Sequence, residues 1–121
     1  MTGASDVFRV EHSGGTLIIS PVGDISSLTA DMLNEAAEMM TELIENHESP
    51  MLVIDLSGVA SCSSVFMSFL LRCHKSIKNR GGEMVLSGAG KMLLELLSLT
   101  RLDTVWAVYQ TRAEALDAVD G

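Results

Sequence analysis

The run "PMLVIDL", Pro50 to Leu56, constrains this chain more than any other stretch. Pro50 favours an extended entry, and the residues that follow are apolar on both faces until Asp55. A strand with no polar face needs cover on both sides, as a central parallel strand has between helical layers. The flanking segments keep a helical period instead. Leu28, Met32, Leu33, Ala36, Met39, Met40, Leu43 and Ile44 recur at steps of three and four, and Asp31, Glu35, Glu38, Glu42 and Glu45 occupy the other face. This predicts a helix from Thr29, with its Met-rich stripe serving core packing rather than a partner groove.

The remaining elements fall into the same alternation. Val7–Glu11 and Thr16–Ser20 read as two strands around the hairpin signal "HSGG", and Pro21–Asp24 breaks the pattern. A helix is predicted from about Ser64 to Asn79, with Val65, Phe66, Phe69, Leu70, Cys73 and Ile77 inward and Arg72, Lys75 and Lys78 elsewhere. "RGG" ends it with a glycine free to take the left-handed conformation. "EMVLSG" is a strand, "AGKMLLELLSLTRLD" a short apolar helix ending near Thr100, and "TVWAVY" a further strand. In "TRAEALDAV" Thr111 can cap a last helix, with Glu114 three residues on. The expected order is β-β-α-β-α-β-α-β-α: one α/β domain over residues 1–121, its mostly parallel sheet covered by helices.

Composition narrows the functions open to such a domain. A hydrophobic fraction of 47% is enough for a real core and argues against disorder. No apolar run approaches the roughly 20 residues of a membrane-spanning helix. The opening "MTGASD" has no basic residue and no apolar segment behind it, so no export signal is expected and the cytoplasm is the default compartment. The net charge is −8 and the basic residues are scattered, which disfavours nucleic acid and anionic membranes. A protein partner with a basic face fits that net charge better.

Chemistry should gather where strand C-termini meet helix N-termini, which singles out "SGVASCSS", Ser57 to Ser64. The helix start offers free N–H groups and a positive dipole end. There is no GxSxG, and His12, His47 and His74 are too dispersed for a triad or a metal set. Cys62 and Cys73 match no CxxC pattern, so buried thiols in a reducing compartment are expected, with no disulfide, metal or cofactor. A small Ser or Cys hydrolase is therefore the weakest alternative. "SGAGK" fails as a phosphate loop, because Val85 stands where the first Gly belongs and Met92 where Ser or Thr belongs. It fails as GxGxxG at Leu93. No acidic pair ends the first strand, as a receiver domain would require. What remains is Ser64, read either as an N-cap worth about 1 kcal/mol or as a regulatory phosphorylation site.

Several blocks in order carry a resemblance. "GDISSLTADML" (Gly23 to Leu33) resembles G-E-L-D-x-x-T-A, and "VIDLSGVASCSSVFMSFLL" resembles D-L-S-x-V-x-F-[IM]-D-S-S-G-L. "RGGEMVLSG" resembles G-G-x-[LM]-x-[LV], and "LLSLTRLDTVWAVYQTRAEAL" resembles L-x-x-[ST]-G-L-x-x-x-[FI] followed by x-x-x-A-L. These are patterns of the STAS family, the fold of bacterial anti-sigma factor antagonists. The resemblance implies a non-enzymatic regulator of transcription that works by partner switching. Its partner would be an anti-sigma factor that is also a serine kinase; phosphorylation would end the binding and a phosphatase restore it. Counted along the motif, the acceptor falls on Ser64, with Ser63 the alternative. Gly23, Asp24, Ser26, Ser61, Ser63, Ser64 and Phe66 would lie on the contact surface. The chain departs from the pattern at Ser63 (Asp in the family), Val65 (Ser), Phe66 (Gly) and Arg101 (Gly). Those departures favour an alternative, a constitutive subunit docking on a signalling scaffold or a lipid-transporter ATPase. The oligomeric state is left open.

Overall fold

The computed structural model describes residues 8–21, 29–46, 50–59 and 64–120. Its centre is a five-stranded sheet in the order β1-β2-β3-β4-β5. β1 (Phe8–Ser13) and β2 (Thr16–Pro21) form the hairpin expected from "HSGG", with Ser13 opposite Thr16. β2, β3 (Met51–Asp55), β4 (Glu83–Ser87) and β5 (Ala107–Tyr109) then pair in parallel. Helices α1 (Ala30–Glu45), α2 (Ser64–Asn79), α3 (Lys91–Leu99) and α4 (Arg112–Asp120) alternate with these strands. A 3-10 turn, Leu102–Thr104, links α3 to β5.

The two-sided apolar run is explained by a three-layer arrangement. Leu52 and Ile54 of β3 face one way, into a core shared with α1, α2 and α3; Val53 faces the other way, with Ile18 and Val85, under Ala115 of α4. Alternating Cβ directions thus send successive residues of one strand into two separate cores. All three β3 residues are fully buried.

The helix ends obey their local signals. Thr29 accepts from the Met32 amide at 3.2 Å and caps α1; Thr111 accepts from the Glu114 amide at 3.1 Å and caps α4. α2 ends at Asn79; Gly81 follows with φ +76°, and Gly82 N–H then donates to Ile77 O at 2.9 Å. Gly82 also passes so close to Pro50 that an added Cβ would overlap the Pro50 carbonyl. The "RGG" signal therefore serves both to stop the helix and to admit the strand beside β3.

Three expectations are corrected. Met39, placed on the inward stripe of α1, is exposed, and Ala37 is buried instead. A period of 3.6 carries position 37 into line with 33, 40 and 44, whereas 39 drifts out. β1 runs to Ser13 rather than stopping at Glu11. The strand expected over 104–109 is only Ala107–Tyr109. Before it the chain makes the 3-10 turn and drives Trp106 fully into the core, where its indole N–H donates to His74 Nδ1 at 2.9 Å.

Candidate functional site

Ser64 is exposed and opens α2 just beyond the C-terminal end of β3. Its orientation follows from the rest of the helix. Phe66, Phe69, Leu70, Cys73 and Ile77 point into the core, and Phe69 stacks on Phe8 with ring centroids 4.8 Å apart. With that stripe fixed, positions 64, 68, 71 and 75 are left on the outer side. Ser68 Oγ donates to Ser64 O at 3.0 Å, which ties the first turn together.

Beside Ser64 lies a groove of about 500 Å³ between α2 and α3. Ser64, Met67, Ser68 and Leu71 form one wall; Leu96, Thr100 and Leu102 form the other. A smaller depression of about 250 Å³ separates α1 from α2, where Arg72 bridges to Asn34 Oδ1 at 2.7 Å.

Of the residues expected on the contact surface, Ser64 is exposed at the start of α2. Phe66 is corrected: its side chain is fully buried and stacked on Phe69 at 5.9 Å, so it acts through packing rather than by touching a partner. Gly23, Asp24, Ser26, Ser61 and Ser63, with Cys62, lie outside the described residues. Burial pushes the Cys73 thiol up to about 12, with Arg72 opposing only weakly, so this sulfur is not a nucleophile at neutral pH. Among the described residues no group of His, Cys, Asp and Glu could hold a metal ion. None of the described helices is long and apolar enough to cross a membrane.

A second polar cluster lies on the opposite face of the sheet, where α4 packs. The Arg112 guanidinium reaches Asp55 Oδ2 (Nε 3.0 Å, Nη2 2.9 Å), Glu11 Oε2 (2.7 Å) and Ser20 Oγ (2.8 Å). Burial alone would raise the Asp55 carboxyl. The Ser57 amide and hydroxyl and the Arg112 guanidinium outweigh it and hold Asp55 below the ordinary 3.8. A fork that ties α4 to β1, β2 and β3 is a clamp, because its donors are already engaged by the protein itself. Sequence reading missed it: Arg112 meets Asp55 and Glu11 across 57 and 101 residues. The lone charge of Asp55 at the end of an apolar strand was the one available signal.

Comparison with known proteins decides the family. The STAS domain pattern matches residues 7–115. The chain belongs to the STAS domain family. It is 25% identical over 112 residues to the anti-sigma F factor antagonist of Paenibacillus polymyxa, covering 93% of each chain. Among solved structures it resembles a STAS domain anti-sigma-factor antagonist protein from Planctomyces limnophilus, with TM-score 0.83, 29% identity, and coverage of 94% and 98% of the two chains. The Bacillus cell fate determinant SpoIIAA in its phosphorylated form shares the fold at TM-score 0.72 and 16% identity, over 93% and 98% of the chains. The expected STAS-like α/β architecture is thus the observed one.

Proposed function

We propose that this STAS domain is an anti-sigma factor antagonist that works by partner switching in the cytoplasm and so regulates transcription. It would bind an anti-sigma serine kinase through the edge around Ser64, and phosphorylation at Ser64 would release it. The observation that carries this reading is the placement of Ser64: an exposed hydroxyl on the first residue of α2, at the rim of an apolar groove. The name of the Paenibacillus relative supports it, as does the existence of SpoIIAA in a phosphorylated form.

The physical logic is local. A phosphate adds about −1.5 to −2 charges. At a helix N-terminus the dipole stabilises such a charge by about 0.3–1 kcal/mol, so the modified chain stays folded while its contact surface gains negative charge. The kinase would supply ATP: Ser64 Oγ bonds to the γ-phosphorus, the bond to ADP breaks, and the serine proton passes to a base on the kinase. Hydrolysis by a phosphatase would reset the switch.

A second reading keeps the fold and the groove but drops the switch, making the chain a constitutive subunit of a scaffold or transporter complex. Burial of Phe66 favours it, because a ring fills the core directly under the acceptor where the family pattern has glycine. Phosphosite mapping on protein recovered from its host, with co-purifying chains identified, separates the two. Phosphate on Ser64 together with a kinase-type partner supports switching, whereas an unmodified chain in a stable complex supports the subunit. A Ser64→Asp chain that binds its partner as tightly as wild type would sink the switch.

A further inference from the structure

The two faces of the sheet are covered unequally. On one face α1 and α2 bury five side chains each, and α3 buries Leu93 and Leu97. On the other face the covering helix is α4, packed on β2 to β5. Ala115 is the one fully buried side chain described on α4, with Leu116 and Val119 partly buried. A methyl group and two half-covered side chains remove little apolar surface from water. A nine-residue helix also has little stability of its own. What keeps α4 in place must therefore be polar.

Two groups beside its first turn act in opposite senses. Arg112 ties α4 down to Glu11, Ser20 and Asp55. Ser87 ends β4 and pairs in register with Asp55. Strand alternation puts Ser87 on the same face as Val85, which lies in the small core with Ala115. Ser87 is 0% exposed, and its Oγ has no hydrogen-bond partner among the described residues. Both Asp55 oxygens are already taken, Oδ1 by the Ser57 amide and Oδ2 by Arg112. A buried hydroxyl without a partner disfavours the state that buries it, because exposure to water would satisfy it.

We infer that α4 is a lid, which lifts off the sheet as one unit while the sheet and the α1–α3 side stay folded. Arg112 is its latch, and the orphaned Ser87 hydroxyl favours release. Lifting uncovers a strip that runs straight across three strands, Ile18, Val53 and Val85 in register. Ser20, Asp55 and Ser87 lie two residues further along the same strands and border that strip with polar groups. This flat surface of β-branched side chains is hidden while the lid is shut. It lies on the opposite side of the sheet from α2, so the lid neither requires nor disturbs phosphorylation at Ser64.

Hydrogen exchange of the whole chain tests the lid, followed residue by residue by NMR in increasing, sub-denaturing urea. The amides of Ala115 to Val119 should be protected about 100-fold less than those of α2 and β3, with a urea dependence below about half of theirs. Arg112→Met should speed the α4 amides about tenfold. Arg112→Lys keeps the charge without the fork and should speed them less, so the latch stays testable even where Met does not fold. Ser87→Ala should slow the same amides about threefold. One urea dependence shared by α4 and α2 would overturn the lid, because their opening would then be global. Arg112 variants that speed only the globally exchanging amides would overturn the latch, since α4 would be opening with the fork intact. Faster α4 exchange in Ser87→Ala would show that the hydroxyl is bonded in the closed form, and would overturn its part in release.

Discussion

Arg101 is the one non-glycine residue with positive φ among the described residues, at φ 61° and ψ 18°. For an L-residue the left-handed region costs roughly 1–2 kcal/mol, because Cβ crowds the following carbonyl. Glycine avoids that cost but loses about 0.5–1 kcal/mol more chain entropy on folding. The difference predicts that Arg101→Gly stabilises the domain by about 0.5–1 kcal/mol. The side chain is exposed, and the local hydrogen bonds to Ser98, Thr104 and its hydroxyl use only the Arg101 backbone, so little else is lost. Urea denaturation followed by the fluorescence of Trp106, the only tryptophan, reads the change directly. The midpoint should rise at unchanged slope, and the thermal midpoint should rise by about 2–6 °C. Arg101→Ala removes the same side chain and keeps the strain, so it should stay within about 0.5 kcal/mol of wild type. If Gly destabilises, or if Ala gains as much as Gly, the left-handed strain is not what the substitution relieves.

Three further perturbations probe other contacts. Gly82→Ala should cost about 2–3 kcal/mol or prevent folding, since the added methyl overlaps the Pro50 carbonyl and crowds Ile77; the same urea titration reads it. Arg112→Met should cost about 1–2 kcal/mol by stranding the largely buried Asp55 carboxylate, with the loss discounted because the guanidinium is one-third exposed. Asp55 stays ionised below its ordinary 3.8, so its contribution is present above that pH and lost as pH falls through the lower folded value. In Arg112→Met the Asp55 pKa, followed by NMR, should rise; no rise would refute the clamp. His74 is held below 6.5 by burial first and Lys78 second, against Glu83, and its neutral ring accepts from Trp106. Its contribution is therefore full above 6.5 and declines as pH falls below that value. An NMR titration placing His74 at or above 6.5 would count against the indole hydrogen bond.

Much of the fold was legible because its signals are local. Ser64–Asn79 is the helix that the apolar period described, and Thr29 and Thr111 cap where hydroxyls preceded helical runs. The glycine pair after Arg80 announced a helix stop. The weak β5 was misjudged because "TVWAVY" has strand composition, while the buried Trp106 needed a hydrogen-bond acceptor and a 3-10 turn brought it to His74. The site was half legible. Motif spacing singled out Ser64, but the same spacing put Phe66 on the surface, because a motif records position and not the direction of a side chain.

By itself the sequence determined the element order, the apolar faces that had to be covered, and the resemblance to the family. These follow from periods of two and 3.6 and from capping, which are properties of neighbours along the chain. Only the tertiary structure decided which elements cover one another. It set Leu71 across a groove from Leu96 and Leu102 and closed the Arg112 fork over Asp55 and Glu11. Such contacts join residues tens of positions apart. A periodic pattern shows that a face must be covered, but the shapes and charges of all the helices together decide what covers it.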